Sequence, residues 1–250
     1  RCWGDDSSGQ LGDGAVSTTG RATPVSVAGL AGVVALSAGD SHSCALLQDG
    51  TVRCWGRNAS GQIGDGTTSA PRLQPTPVLG LSQVTAISAG NEFTCALRAD
   101  GAVLCWGRND GGQLGQGAIS FTPQTTPKLV PGLSGVLTIA AGDRSACAVV
   151  ASGGGGALRC WGDNAGGQIG DGTKGNQRPA PTPVALSGPA ATAAVGGTTA
   201  CAVLTGGCAV CFGQNGGAIG DGTTAERLLP APVSGFACGL VLGQGCGGAA

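Results

Sequence analysis

The segment Cys54–Gly66 reads Cys-Trp-Gly-Arg-Asn-Ala-Ser-Gly-Gln-Ile-Gly-Asp-Gly, and it decides the fold because the chain repeats it. Four further versions begin at Cys2, Cys105, Cys160 and Cys211. The five starts are separated by just over fifty residues each. Self-similarity at a fixed period of this length is the mark of a repeat architecture, in which each repeat is one structural unit.

The composition excludes several classes of protein. Gly accounts for 50 of 250 residues without a Gly-X-Y period, which excludes collagen and favours a turn-rich all-β chain. Only 11% of residues are charged, and 13 basic against 14 acidic side chains argue against a nucleic-acid partner. No apolar run reaches the roughly 20 residues that span a bilayer. The sequence opens inside a repeat and shows no signal peptide, so we expect it to be a processed product or part of a longer chain.

The 12 cysteines indicate an oxidising environment. Zinc binding is the competing interpretation, but the spacing does not fit it. The only Cys-x-x-Cys pair is Cys208 and Cys211, and the single histidine is His42. We therefore expect a secreted or cell-surface protein.

The cysteines fall at positions where a hairpin would pair them. An Asp-Gly turn at residues 49–50 separates two β-prone arms. If Gly50 takes the left-handed position of a three-residue loop, Leu47 faces Thr51 and Cys44 lies opposite Cys54. That rung brings the Cα atoms to about 4.5 Å, where a disulfide is feasible. The same reasoning pairs Cys95 with Cys105, Cys147 with Cys160, and Cys201 with Cys211.

Each repeat supplies about four short strands and a Gly-rich connection, which predicts an all-β β-propeller of five four-stranded blades. A two-sheet sandwich does not explain the fixed period. An aromatic residue follows the last cysteine of each repeat, and we expect it to pack between blades. These residues are Trp3, Trp55, Trp106, Trp161 and Phe212.

The signature Trp-Gly-x-Asn-x-x-Gly-Gln-Leu/Ile-Gly-x-Gly, with Pro-x-x-Val and Ala-Gly-x-x-x-x-Cys-Ala-Leu, resembles the repeat of the regulator of chromosome condensation family. Because of its cysteines, the repeat is similar to the Cys-Trp-Gly variant that occurs in secreted relatives of the family. The resemblance implies a β-propeller, but not one function, because members include a nuclear exchange factor, ubiquitin-ligase domains, an ultraviolet-B receptor and a secreted β-lactamase inhibitor. The receptor's Trp-rich segments are absent, since residues 39–43 read Gly-Asp-Ser-His-Ser.

The family usually closes with about seven blades, whereas five signatures occur here. Either repeats are missing from this sequence, or five blades close by themselves as a single domain over residues 1–250. In the second case Cys246, which resembles the cysteine of the Cys-Ala-Leu motif, would bridge to Cys2 and leave Cys208 for Cys238.

The sequence offers little support for a catalytic site or a metal site. The Gly-Asp-Gly turns suggest calcium, but each offers too few carboxylates, and we expect Asp65 and its counterparts to bond their own turns. Gln116 replaces the Asp in the third repeat. His42 cannot form a catalytic triad with its sequence neighbours Asp40 and Ser41. We expect no enzyme activity, no metal and no cofactor.

Two further features concern the surface. Asn58-Ala59-Ser60 is an N-glycosylation pattern, although Asn58 also belongs to the repeat signature, where its side chain would tie the Gly-rich turn. The repeats differ most at residues 67–76, 118–126 and 173–182. Such loops on a rigid scaffold are either solvated spacers or sites of recognition. The candidate partner-binding residues are Arg72, Phe121, Lys174 and Arg178.

These observations favour a non-enzymatic extracellular module for protein interaction or structural assembly. A secreted inhibitor or receptor-like binder, which caps a partner through its inter-blade loops, is the alternative. A sugar-binding or hydrolytic propeller is disfavoured, because the chain has no Tyr and no paired carboxylates placed for acid–base work. We expect a protein partner or self-assembly, and no small-molecule ligand.

Overall fold

The computed structural model describes residues 1–236, which consist of strands, turns and loops. This part of the chain contains no helix that is long and apolar enough to cross a membrane. The first sheet contains β1 (Cys2–Asp6) and β2 (Ser17–Val25). The second contains β3 (Val33–Ala38), β4 (His42–Leu47), β5 (Val52–Gly56) and β6 (Arg72–Pro77). The third contains β7 (Val84–Ala89), β8 (Phe93–Arg98), β9 (Val103–Asn109) and β10 (Ser120–Leu129). The fourth contains β11 (Val136–Ala141), β12 (Ser145–Ser152), β13 (Gly155–Gly162) and β14 (Arg178–Pro183). The fifth contains β15 (Ala190–Val195), β16 (Thr199–Leu204), β17 (Ala209–Gly213) and β18 (Arg227–Pro232).

Each sheet is an antiparallel meander in chain order, as in the blades of a β-propeller. The predicted four-stranded blade is present four times. The sheet of the first repeat has two strands within residues 1–236. β1 and β2 correspond to the third and fourth strands of the other sheets, and no described strand pairs with the other edge of β1.

The hairpins have the predicted register. Gly50 has φ of 76° and donates its N–H to the carbonyl of Leu47, while Leu47 N–H donates to Thr51 O, both at 2.9 Å. Cys44 therefore lies opposite Cys54, with their Cα atoms 4.1 Å apart. The four hairpin disulfides are Cys44–Cys54, Cys95–Cys105, Cys147–Cys160 and Cys201–Cys211. The pairings predicted for Cys2 with Cys246 and for Cys208 with Cys238 each involve a residue outside the described part of the chain.

The hydrophobic core is divided among the junctions between sheets. Three clusters fill the spaces between the second and third, third and fourth, and fourth and fifth sheets. Each cluster combines a disulfide, aliphatic side chains and a fully buried aromatic residue from the sheet that follows. These aromatic residues are Trp106, Trp161 and Phe212, and the cluster between the third and fourth sheets also contains Phe93. A fully buried large side chain of this kind contributes roughly 1.5–3 kcal/mol, so these junctions hold the sheets together.

A Gly-rich turn caps the aromatic residue of the next sheet. Trp106 Nε1 donates to the carbonyl of Gln62 at 2.9 Å. A Cβ atom on Gly64 would lie 2.7 Å from that nitrogen, so the indole needs a glycine beneath it. The same pairing recurs for Trp55 on Gln10 and Gly12, Trp161 on Gln113 and Gly115, and Phe212 on Gly170.

Trp3 departs from this pattern within the described residues. Its side chain is 64% exposed, whereas Trp55, Trp106 and Trp161 are fully buried. The burial of each of those rings comes from the turn of the preceding sheet. None of the turns within residues 1–236 lies on Trp3.

The outer strand of every sheet carries prolines. A proline has no N–H to donate, which is tolerated only where a strand has a free edge. The edge strands contain Pro24 in β2, Pro75 and Pro77 in β6, Pro123 and Pro127 in β10, Pro179, Pro181 and Pro183 in β14, and Pro230 and Pro232 in β18.

Candidate functional site

Charged side chains from three consecutive sheets meet at one end of the strands. This end carries the turns between the first two strands of each sheet and the Gly-rich turns after the third. Arg57 N–H donates to the carbonyl of Ser41 at 2.8 Å, which brings the end of β5 beside the β3–β4 turn. The third sheet repeats this contact between Arg108 N–H and Glu92 O. Side chains that follow these turns therefore project into a common rim.

The charges on this rim alternate in sign. Glu92 Oε1 lies 3.5 Å from Arg57 Nη2, and its Oε2 lies 2.7 Å from Arg108 Nη1. Arg108 Nη2 contacts Asp110 at 2.6 Å, and Arg144 Nη2 contacts the other oxygen of Asp110 at 2.9 Å. We call these five residues, Arg57, Glu92, Arg108, Asp110 and Arg144, the charged strip.

The strip presents its cations to solvent. The side chains of Glu92 and Asp110 are only 13% and 14% exposed, whereas those of Arg57, Arg108 and Arg144 are 46%, 40% and 36% exposed. Burial opposes ionisation of Asp110, but the hydrogen bond from Arg108 and the charge of Arg144 outweigh it, so the pKa of Asp110 lies below its usual value. Hydrogen bonds to Asp110 and Glu92 raise the pKa of Arg108. Asp110 and Arg108 therefore both favour their charged forms.

Phe121 lies beside the strip, at the start of β10. It is 85% exposed, more than any other large hydrophobic side chain within residues 1–236. A shallow groove of about 200 Å³ separates it from Arg108 and Asp110, with Ser60 and Pro123 on its walls. An exposed phenyl ring next to guanidinium groups is a combination that protein interfaces favour. Phe121, the groove and the charged strip together form the interaction rim.

The structure gives Arg72 and Arg178, two of the predicted partner-binding residues, a role within their own repeats. Arg72 Nε donates to Asp65 Oδ2 at 2.6 Å, and its Nη2 donates to Thr67 Oγ1 at 2.9 Å. Arg178 makes the same two contacts with Asp171 and Thr173. Each arginine thus clamps the Gly-Asp-Gly turn to the outer strand.

This clamp is a repeat feature that our sequence reasoning missed. It recurs as Arg227 with Asp221 and as Arg21 with Asp13. The third repeat lacks both charges, because Gln116 replaces the aspartate and Gln124 takes the register position of the arginine opposite Gly107. The near-constant spacing from Asp to Arg, and the joint loss of both in one repeat, were visible in the sequence.

Lys174, the third predicted cation, pairs with Glu226 across neighbouring repeats at 2.5 Å. Both side chains are about half exposed, so this pair contributes little to stability. Of the four predicted partner-binding residues, Phe121 has the most exposed side chain, and the other three have ion-pair partners.

Asn58 ties the Gly-rich turn, and its predicted glycosylation does not fit the folded chain. The residue is fully buried. Its Nδ2 donates to Asp65 Oδ1 at 3.1 Å and to Thr67, while its Oδ1 accepts from Ile63 N–H at 3.2 Å. A glycan on Nδ2 would break this network. The alternative that the signature offered, a structural asparagine, is correct.

The aspartates of the Gly-Asp-Gly turns bond their own turns, as predicted. Thr67 N–H and Oγ1 both donate to Asp65 Oδ1, at 3.1 and 2.8 Å. Burial opposes ionisation, but these bonds and Arg72 bring the pKa of Asp65 below its usual value. Within residues 1–236, no three His, Cys, Asp or Glu side chains converge in a way that could hold a metal ion.

The model of the regulator of chromosome condensation (RCC1) repeat matches residues 2–46, 49–97 and 100–149, more than half of the chain. The chain belongs to the RCC1 repeat family. Among curated proteins, this RCC1-repeat chain is 32% identical over 170 residues to the human probable E3 ubiquitin-protein ligase HERC6. The match covers 66% of this chain but only 16% of HERC6. It is 38% identical over 143 residues to the ultraviolet-B receptor UVR8 of Arabidopsis thaliana, covering 55% of the chain and 31% of the receptor.

Solved RCC1-type structures share the fold. Human WBSCR16 superposes with a TM-score of 0.79 at 22% identity, over 92% of this chain and 60% of WBSCR16. Prp20p of Saccharomyces cerevisiae gives 0.73 at 24% identity, over 85% of this chain and 53% of Prp20p. The chain thus spans well under two thirds of the relatives and structures that it matches. At these identities the structural likeness establishes the fold alone.

Proposed function

We propose that this RCC1-repeat chain is a non-enzymatic extracellular module that binds a partner protein through the interaction rim. The observation that carries the proposal is Phe121, which is 85% exposed beside the outward-facing guanidinium groups of the charged strip. Aromatic and arginine side chains supply most of the binding energy in protein interfaces. The disulfide-bonded sheets hold these groups in fixed positions.

The charges on the rim favour a protein partner of a particular chemistry. A complementary surface would offer an apolar pocket for Phe121, flanked by carboxylates for Arg57 and Arg108. The strip's own acids, Glu92 and Asp110, would orient those guanidinium groups. A phosphate backbone fits poorly, because the arginines are already paired and the chain carries a net charge of -1. The groove beside Phe121 is also smaller than the 300–1,000 Å³ typical of ligand pockets.

The relatives support an interaction role. Prp20p binds Gsp1p and histones, and yeast RCC1 (Prp20) has been solved with Kap60 bound. HERC6 is a probable ubiquitin ligase, but the similarity covers only 16% of its length. The only histidine of this chain, His42, is buried and bonded to Thr94, so it is not placed to serve as a general base. These features favour binding over catalysis.

The four hairpin disulfides support an extracellular location. Of the eight cysteines in these hairpin bridges, seven are buried, which places them within the cores between sheets. Disulfides of this kind persist in oxidising compartments and are rare in a reducing cytosol.

The test is affinity capture from the secreted proteins of the source organism, with the disulfide-intact chain as bait. Phe121→Ala should lose the partner. Leu129→Ala is the matched control, because Leu129 lies on the same strand, is 55% exposed, and is distant from the strip. Binding should also weaken with salt, since exposed charges are screened. A partner that binds both variants equally would overturn the proposal. Assaying the captured partner then distinguishes an inhibitor from an assembly module.

A further inference from the structure

The Gly-rich turns of the first four repeats each carry a glutamine whose side chain folds back on its own turn. In every case the glutamine Oε1 accepts the backbone N–H of the residue two positions earlier, at 2.8–2.9 Å. These glutamines are Gln10, Gln62, Gln113 and Gln168. Because the four side chains make the same bond, their Nε2 atoms point in the same direction relative to the turn.

In three of these turns the Nε2 atom donates to a carboxylate of its own repeat. The pairs are Gln10 with Asp5, Gln113 with Asp110, and Gln168 with Asp163, at 2.7, 3.4 and 3.3 Å. The second turn differs. Gln62 is fully buried, and its Nε2 has no acceptor among the residues that the structure describes.

The sequence explains why Gln62 lacks an acceptor. Arg57 directly follows Trp-Gly, at the position that Asp5 and Asp163 occupy in their repeats, and Ala59 replaces the Asp110 of the third repeat. The second repeat therefore places a cation within reach of the amide where other repeats place an acid. A buried donor without an acceptor is costly and rare in native proteins. The retained glutamine indicates an acceptor that comes from outside the chain.

Arg57 is the least constrained guanidinium of the charged strip. Its contact with Glu92 is 3.5 Å long, whereas the other contacts of the strip are 2.9 Å or shorter. Glu92 does not depend on Arg57, because Glu92 Oε2 accepts from Arg108 at 2.7 Å and from Ser60 Oγ at 3.3 Å. The side chain of Arg57 is 46% exposed, so it can turn toward an incoming anion beside Gln62.

We propose that Gln62 and Arg57 form a subsite of the interaction rim that receives a carboxylate of the partner protein. Gln62 Nε2 donates to one carboxylate oxygen, and the guanidinium of Arg57 pairs with the same group. Hydrogen bonds between a guanidinium and a carboxylate are charge-assisted and therefore strong. This inference rests on the proposed function, because it names the chemical group by which the partner contacts the rim.

The third repeat shows that such donors together hold a carboxylate. Asp110 accepts from the amide of Gln113 and forms ion pairs with Arg108 and Arg144. A carboxylate carries one negative charge, which Arg57 alone balances. A phosphate dianion would bring a second charge close to Glu92, which lies beside Arg57. The site therefore favours a carboxylate over a phosphate.

The test follows the side-chain NH2 signals of the glutamines by NMR, in the isotope-labelled, disulfide-intact chain. One probe, N-acetyl-aspartate N-methylamide, carries a side-chain carboxylate, and the other, N-acetylglycine, carries a terminal one. We expect the Gln62 signal to shift at roughly millimolar probe concentration, and the tighter probe identifies the source of the carboxylate. The signals of Gln113 and Gln168 should not move, because their amides already have acceptors. The neutral probe N-acetyl-asparagine N-methylamide should shift none of them.

Two variants of Arg57 separate its charge from its position. Arg57→Gln should weaken carboxylate binding about tenfold, because it removes the charge-assisted bond. Arg57→Asp places the chain's own carboxylate beside Gln62, as Asp163 does in the fourth repeat, and should abolish the response to both probes. Arg53→Gln is the matched control, because Arg53 lies on the same strand, β5, outside the charged strip. It should bind the probes like the wild-type chain.

Several results would overturn the subsite. They are a Gln62 signal that no carboxylate shifts, an equal shift with the neutral probe, tighter binding of inorganic phosphate, and an Arg57→Asp chain that responds like the wild type. The proposed function fails separately, if Phe121→Ala still captures the partner, and that result leaves the titration unaffected. With a captured partner, Arg57→Asp should weaken binding, whereas unchanged affinity would show that the partner does not use the subsite.

Discussion

The Nε2 atom of His42 lies 2.9 Å from Oγ1 of Thr94, and this buried hydrogen bond joins the second sheet to the third. Thr94 uses its own hydrogen to reach the carbonyl of Gln62 at 3.0 Å. Its oxygen must therefore accept from His42, which fixes the neutral imidazole with its proton on Nε2. Nδ1 has no partner among the described residues. The junction thus depends on an uncharged histidine.

This arrangement predicts an acid-sensitive junction. Burial lowers the pKa of His42 from 6.5 to about 4, although the charge of Asp40 opposes this. Between those values the unfolded chain binds a proton that the folded chain refuses. The free energy of unfolding should be constant above pH 6.5 and fall by about 3 kcal/mol as the pH drops to 4. Urea unfolding at several pH values measures this loss.

His42→Phe is the matched control, because Phe93 occupies the equivalent buried position in the third sheet. The variant should lose the pH dependence between 6.5 and 4. The lowered pKa values of Asp65 and Asp171 place their contributions below that window. If the free energy of unfolding changed with pH equally in the variant and in the wild-type chain, the pH dependence could not be assigned to His42.

Removal of a hairpin disulfide should destabilise the chain without changing its topology. The Cys44→Ala, Cys54→Ala double variant should lose about 2–3 kcal/mol, because the bridge restricts a short loop in the unfolded chain. Removing Cys147 and Cys160 should cost the same within a few tenths of a kcal/mol, since a loop separation of 13 against 10 changes the entropy little. Chemical denaturation measures both. Native cysteines at 44 and 54 that react with a thiol reagent would refute the prediction.

Replacing a glycine that lies beneath an indole with any larger residue should destabilise the fold. Gly64→Ala places a Cβ 2.7 Å from Trp106 Nε1 and 2.9 Å from Val78 Cγ1. Gly80→Ala imposes a similar positive φ where nothing lies within 4 Å. The difference in unfolding free energy between the two variants isolates the clash, and we expect about 1–3 kcal/mol. Two equally stable variants would show that the cap is not close-packed.

The missing clamp of the third repeat should be restorable. Gln116→Asp alone places a carboxylate in the turn without a partner cation, and we expect it to lower the free energy of unfolding. Adding Gln124→Arg supplies the partner at the register position that Arg72 occupies in the second repeat. We expect the double variant to recover the loss, with a coupling of about 1 kcal/mol in a double-mutant cycle. Additive effects would mean that the two side chains do not meet.

Local chemistry explains why much of the fold was predictable. The Asp-Gly turn fixes the register of its hairpin, and the register places Cys44 opposite Cys54 over a short stretch of chain. The recurrence of an aromatic residue and a glycine after each such cysteine then predicts the number of units. These inferences depend on residues close in sequence, where turn geometry and strand alternation dominate.

Contacts between residues that are distant in sequence were harder to predict. Trp3 has the same sequence neighbours as Trp55, but its burial depends on a turn from another sheet, which no local pattern reveals. Arg72 and Arg178 lie in the segments where the repeats differ and were predicted to face a partner. In the structure each begins an outer strand and reaches back to an aspartate seven residues earlier. That Phe121 is exposed beside the charged strip becomes apparent only from the folded structure.

The prolines of the outer strands affect how the protein behaves when crowded. Sheets with bare edges tend to recruit strands from neighbouring molecules and grow into fibrils. Pro75 and Pro77, with their equivalents in the other sheets, leave gaps in the row of donors that such growth requires. A glycine-rich β chain can thereby accumulate at high local concentration and stay in separate, folded units.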